Sequence, residues 1–229
     1  SLGTALTLSG SAAVTVKGFT FKNGLSEADG GNIYCSSSSL ALSHSVVHAG
    51  EANKGGGIAA EACTITISNT DFLSNIATKS EGGGAYLTAT SGTISGSLFE
   101  DNDAYNGGGM YVSGDSVTID GNEFISNRAS AGGGLYVDGD SPIENNLFDS
   151  NAVTGDIWTA IGGGAYALNH DGAITGNTVT NNSAVKDGGG IYLEGGTAAV
   201  NGNTFTDNSS FDDGGGLRLK LSSASVDNN

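Results

Sequence analysis

The chain has 229 residues, 37% of them hydrophobic, with 39 glycines, one proline and a formal charge of −16 from 24 acidic against 8 basic side chains. Glycine without a three-residue period excludes collagen, and regularly recurring apolar residues exclude a disordered chain. The charge disfavours nucleic acid and anionic membranes as partners; no apolar run approaches the roughly 18 residues of a spanning helix, and no charged-then-apolar leader is present.

Residues 1–24 alternate small apolar and hydroxyl side chains, as in Ala5-Leu6-Thr7-Leu8 and Ala13-Val14-Thr15-Val16, which predicts strands bent at glycines. The same phrases then recur. Glycine triplets or their variant begin at Gly30, Gly55, Gly82, Gly107, Gly132, Gly162, Gly188 and Gly214, at steps of 25, 27, 25, 25, 30, 26 and 26 residues. A period of that length marks one supersecondary unit repeated and stacked.

Each unit reads in three parts. A triplet leads into a short strand such as Gly84-Ala85-Tyr86-Leu87. An aliphatic anchor follows 12 residues after the triplet's first glycine (11 from Gly132 to Ile143), and Phe or Val stands 5 residues after the anchor, at Val47, Phe72, Phe99, Phe124, Phe148, Val179 and Phe205. From there to the next triplet the distance varies between 8 and 14 residues. Two sides of the unit therefore keep register with their neighbours while one corner lengthens freely.

Parity assigns the core. Ile33, Ile58, Ala85, Met110, Leu135, Ala165, Ile191 and Leu217 form one inward ladder, and Cys35, Ala60, Leu87, Val112, Val137, Ala167, Leu193 and Leu219 a second. Between them Tyr34, Tyr86, Tyr111, Tyr136, Tyr166 and Tyr192 point outward along one parallel sheet. The triplets serve as corners, since no following helix or Walker-type Lys makes them phosphate loops. Asn75, Asn102, Asn127, Asn151, Asn182 and Asn208, each three residues after Phe or Val, form a structural ladder with Phe72, Phe99, Phe124, Phe148 and Phe205, and Gly24 and Gly50 replace Asn in the first copies. Cys35 suits a buried small position; a bridge to Cys63 is an alternative that spacing does not settle.

The fold this predicts is all-β: a right-handed, single-stranded parallel β-helix (β-solenoid) of about 25–27 residues per turn and roughly eight turns, on the order of 40 Å long. Residues 1–229 read as a single segment. The last rung stops at Val226-Asp227-Asn228-Asn229 without a capping pattern, which suggests part of a longer chain or one assembled along its axis.

Asn122-Glu123-Phe124-Ile125-Ser126-Asn127, followed by Gly132-Gly133-Gly134-Leu135-Tyr136, resembles the Phe-x-x-Asn and Gly-Gly-Ala-Ile repeats of the chlamydial polymorphic outer-membrane protein family and its adhesin-like relatives. The resemblance covers almost all of residues 16–229, although most triplets here read Gly-Gly-Gly. It implies a right-handed parallel β-helix in a secreted or surface-exposed passenger region associated with adhesion, followed in autotransporter members by a membrane barrel that these residues do not contain.

Chemistry is harder to place. The acid clusters Glu100, Asp101 and Asp103, Asp138 and Asp140, and Asp212 and Asp213 fall at turns, where acids solvate a corner, and the only arginines, Arg128 and Arg218, are repeats apart. Glycoside hydrolysis needs two carboxylates at a controlled separation across one groove, and the turn position of these clusters favours solvation over that role. His44, His48 and His170 form no metal motif and no triad can be read from such scattered residues, so catalytic residues are assigned as none. Calcium is the ion the turn acids Asp101, Asp103, Asp149, Asp156, Asp212 and Asp213 favour; no other cofactor is implied. Two surfaces are binding candidates: the tyrosines Tyr86, Tyr111, Tyr136, Tyr166 and Tyr192, and the long corner carrying Asp156, Ile157 and Trp158, the only tryptophan. A threonine array for ice is too fragmentary. The expectation is a noncatalytic extracellular or cell-surface coil, structural or adhesin-like, meeting a surface protein or glycan or its own kind through the coil ends. The alternative is a carbohydrate-binding or polysaccharide-degrading protein.

Overall fold

The computed structural model describes residues 3–114, 116–155 and 160–229. Successive strands of one turn do not pair with each other; each pairs with its equivalent one turn away, and every named strand pairing is parallel. The result is a right-handed parallel β-helix of about eight turns, built from two nine-stranded sheets, one eight-stranded sheet, and shorter four- and two-stranded sheets at one corner. One turn consists of Met110–Ser113, Val117–Asp120, Glu123–Ile125 and the two-residue Arg128–Ala129. The fourth strand is absent from the three-part reading, because two residues are too few to show a period.

The two ladders of the first sheet lie inside: Ile33, Ile58, Ala85, Met110, Leu135, Ala165 and Ile191 are at most 1% exposed, as are Cys35, Ala60, Leu87, Val112, Val137, Ala167 and Leu193. Leu40, Ile65 and Val117 add a further inward row on the second sheet, interrupted by Gly92 and so not apparent as a repeat. On the third sheet Phe72, Phe99, Phe124 and Phe148 are fully buried and stacked at 4.6, 5.0 and 5.0 Å between ring centroids. Aromatic offset stacking adds about 0.5–1.5 kcal/mol per pair to the burial of the rings.

The asparagine ladder is a hydrogen-bonded column. Asn127 Oδ1 accepts from the backbone N–H and the Nδ2 of Asn102, at 3.0 and 2.9 Å. Its own Nδ2 donates to Phe99 O of the preceding turn and to Asn151 Oδ1 of the next, at 2.8 and 3.0 Å. All four amide valences are thus used inside a buried corner. Asn75, Asn102, Asn151 and Asn182 repeat the pattern. The side-chain donors reach the carbonyl one turn back rather than their own backbone. Where Gly50 lacks the amide, Asn32 fills the space, donating to His48 O and Asn75 Oδ1 at 3.1 and 3.3 Å.

A second column runs along the neighbouring corner, through Asn122, Asn146, Asn177, Asn203 and Asn229, preceded by Ser97. Sequence reasoning missed it, although its signal was a polar residue two before each Phe or Val.

The triplets turn the chain tightly between stacked backbones. Gly132 takes φ +61°, and a Cβ on Gly133 would lie 2.3 Å from the carbonyl oxygen of Gly163 in the next turn. The second position therefore needs glycine for close approach, the first for its conformation. Cys35 and Cys63 are joined by a disulfide, 28 residues apart, tying a strand of the first sheet to the following turn's corner. Cys35 is both the buried residue expected and a bonded one.

Replacing Asn127 by Ala strands the backbone N–H of Asn102 in a dry corner and takes one of the donors from the carbonyl of Phe99. At about 1–3 kcal/mol for an orphaned buried group, the variant should lose about that much in urea unfolding. Asn127→Asp, which keeps only the acceptors, should also be destabilised.

Candidate interaction site

The outer face of the first sheet holds the tyrosine file, in register through Tyr86, Tyr111, Tyr136, Tyr166 and Tyr192. Ring centroids lie 5.6, 5.1, 4.7 and 5.3 Å apart, the first two pairs stacked and the last two edge-on. The rings point away from the core, as parity requires, but they are not an open platform. Tyr86, Tyr166 and Tyr192 are 8%, 7% and 2% exposed, because the variable corner folds back along this face. Ala131 and Ile161 pack with Tyr136, Tyr166, Tyr192 and Leu168. Near the other end Lys54 Nζ lies 4.7 Å from the Tyr86 ring centre, 3.2 Å from its hydroxyl and 3.7 Å from Glu81.

The phenols meet carboxylates two residues along the face in the next turn. Tyr34 donates to Glu61 and Tyr166 to Glu194, each at 3.0 Å. Burial, then the nearby charge of Tyr136 and Glu194, holds the Tyr166 phenol above its ordinary range. Burial, followed by Tyr111 and Asp138, does the same for Tyr136. Burial also leads the upward shifts of Tyr34, Tyr111 and Tyr192. This face is thus an array of neutral hydrogen-bond donors beneath a partial roof.

The sole large insertion in the sequence follows the strand Ala152–Val153, and its Asp156, Ile157 and Trp158 lie outside the described residues. At Thr154 there is a groove of about 310 Å³ lined by residues that also include Lys79, Asp103, Tyr105, Arg128 and Ser130. Tyr105 is 56% exposed there, and Arg128 contacts Asp103 Oδ2 through Nε at 2.9 Å and Nη2 at 2.5 Å. An aromatic wall beside a planar charged pair and hydroxyls can stack on and hydrogen-bond a polar ring. Sequence reasoning did not single out Tyr105; its outward direction depends on the unrecognised fourth strand.

The acid clusters disperse. Asp103 pairs with Arg128, and Asp213 pairs with Arg218 at 3.4 Å. Among the described residues no group of three or more His, Cys, Asp or Glu side chains is placed to hold a metal, and no helix is long and apolar enough to cross a membrane. His170 is fully buried, its Nδ1 2.5 Å from Gly139 O and its Nε2 without a hydrogen-bond partner. Burial lowers its basicity, against the opposing pull of the Gly139 carbonyl and Asp140.

A family model for right-handed β-helix regions matches residues 4–175 and, overlapping, residues 95–229. No curated protein and no solved structure matches the chain.

Two pH effects follow with defined sign. The neutral His170 of the fold resists a proton that the unfolded chain accepts near 6.5, so stability falls as pH drops below that value. The thermal midpoint should be lower at about pH 5 than at about pH 7.5, and His170→Gln should narrow the gap. The phenols act at the other end: above 10.0 the unfolded tyrosines ionise while Tyr136 and Tyr166 do not, so stability falls again with rising pH. Urea midpoints at about pH 8 and 11 should show this loss, reduced in Tyr166→Phe.

Proposed function

We propose that this chain, which belongs to the family of right-handed β-helix regions, is a noncatalytic extracellular coil, structural or adhesin-like, that presents its flat outer faces to a surface protein or glycan. The observation that carries this reading is how the repeat is spent. Phe, Asn and Gly positions of turn after turn lock the coil to its neighbours, leaving long regular sheet faces as the surfaces available for contact. The Cys35–Cys63 disulfide accords with an oxidising compartment. The formal charge of −16 suits a solvated surface component.

The resemblance of Phe124-Ile125-Ser126-Asn127 and the following triplet to chlamydial polymorphic outer-membrane passengers supports the same reading. Self-association through the coil ends belongs to it as a structural role, and calcium at turn acids as an accessory. A second reading, carbohydrate binding or polysaccharide cleavage, is favoured by the groove of Tyr105, Arg128 and Asp103.

Beads coated with the chain should adhere to cultured cells more than beads coated with albumin. Incubation with a panel of neutral and uronic polysaccharides should release neither reducing ends nor unsaturated uronates. Product release from any of them would replace the adhesive reading by the enzymatic one. Glycan-selective adhesion lost in Tyr105→Ala would place carbohydrate binding in that groove.

A further inference from the structure

The third sheet has an outer face of two alternating kinds of side chain. Its strands Val46–His48, Asp71–Leu73, Leu98–Glu100, Glu123–Ile125 and Leu147–Asp149 are paired in register, with the middle residue of each buried. The two flanking residues of each strand therefore face outward. One file reads Val46, Asp71, Leu98, Glu123, Leu147, and the other His48, Leu73, Glu100, Ile125, Asp149. Over four consecutive turns, from Asp71–Leu73 to Leu147–Asp149, each aliphatic thus has an acid beside it in its own strand and an acid above or below it. Sequence reading followed the buried Phe position and passed over its two neighbours, whose pattern appears only when the strands are laid side by side.

Neither kind of residue belongs to the core, and of the acids Asp149 is tied to its own corner and the next turn, its Oδ1 accepting from Ser150 Oγ and Asn181 Nδ2, each at 3.0 Å. Leu73, Leu98, Ile125 and Leu147 remain partly exposed. Among the described residues the ion pairs lie elsewhere, on Lys54, Arg128, Arg218 and Lys220, and none involves Asp71, Glu100, Glu123 or Asp149. At the edge towards the second sheet, a hollow of about 310 Å³ is lined by residues including Asp71, Leu98 and Glu123. Two carboxylates thus flank one leucine across two turns, about 10 Å apart at one strand spacing per turn.

From this alternation we infer that the third sheet is a docking face for a basic amphipathic helix lying along the coil axis. A helix returns to the same side every 5.4 Å or so and the coil repeats at about 4.8 Å, so helix turns and coil turns stay nearly in step over four turns. Lysine or arginine on every second helix turn would meet the acids of one file, and leucines on the turns between would cover Leu98 or Ile125. Charge complementarity selects the occupant, since carboxylates without cationic partners on a chain of charge −16 repel acidic segments and attract basic ones. A second copy does not fit the role: it carries 8 basic against 24 acidic residues, and no helix is among its described residues. The inference rests on the binding reading above and names its surface and partner chemistry.

The test uses a synthetic helical peptide with lysine and leucine on alternating turns of one face, a version with serine for leucine, and one with glutamate for lysine. Binding to the intact chain is followed by fluorescence anisotropy near physiological salt. The lysine–leucine peptide should bind and the other two should not. Glu100→Gln/Glu123→Gln should weaken binding about tenfold or more, as should Leu98→Thr/Ile125→Thr, whereas Glu144→Gln/Asp227→Asn, which removes equal charge from the second sheet, should leave it unchanged. Circular dichroism and melting confirm that each variant is folded.

Absence of binding would overturn the assignment. So would equal loss in the second-sheet variant or equal binding of the serine peptide, either of which means diffuse charge attraction. Cell adhesion of the coated beads that persists in both third-sheet variants would overturn this face while leaving the adhesive reading in place.

Discussion

Everything in this coil depends on register between turns. A strand in a parallel stack has no tight hairpin to align it, and a slip of one residue would exchange every inward side chain for an outward one. The chain prevents the slip with buried amides. Asn102, Asn127 and Asn151 each accept from the turn before and donate to the turn after. Because all four valences are used in a dry corner, a displaced register would leave acceptors unmatched and donors orphaned, which hydrophobic packing alone would penalise far less. The Phe72–Phe148 stack and the apolar ladders supply burial; the asparagines make one alignment of that burial better than its neighbours.

The same constraint explains where the chain is free to vary. Once two corners are held by amide columns and the triplet glycines are seated against carbonyls, the stretch between the short fourth strand and the triplet carries little alignment duty, and there the distance from Phe148 to Gly162 stretches to 14 residues. Its cost is a modest loop-closure term. Described residues of this corner pack over the first sheet, where Ala131 and Ile161 cover the tyrosines. A feature that follows from loose register thus determines which aromatic rings solvent can reach.

What the sequence made legible was what repeats at a fixed interval within the turn. The triplets, the anchor-to-Phe spacing and the Asn75 to Asn208 column recur often enough to define the coil and its interior. What it concealed depends on relations between turns or on substitutions within a column. Asn32 is displaced in sequence from the ladder it completes, and only the three-dimensional vacancy over Gly50 connects them. The Asn122 column begins as Ser97 and Thr70, so identity changes while the hydrogen-bonding duty is kept. The two-residue strand Arg128–Ala129 is too short for any periodicity, and with it went the outward aim of Tyr105. For Cys35, burial and bonding were treated as alternatives, although one sulfur can satisfy both.

A solenoid divides its residues more sharply than a globular fold. Inward positions must match the turns above and below, so they converge on Ile, Leu, Val, Phe and Asn and record little about partners. Outward positions are released from that duty, and each sheet presents a different chemistry: neutral phenols roofed by a loop on the first, small hydroxyls such as Ser39, Thr64 and Thr66 on the second, alternating acids and aliphatics on the third. Since the backbone holds all three faces at the same axial repeat, a ligand that matches that repeat gains contacts turn by turn, while its preorganised surface loses little entropy on binding. Specificity in such a molecule is set less by a single pocket than by which alternation of side chains is carried along which face.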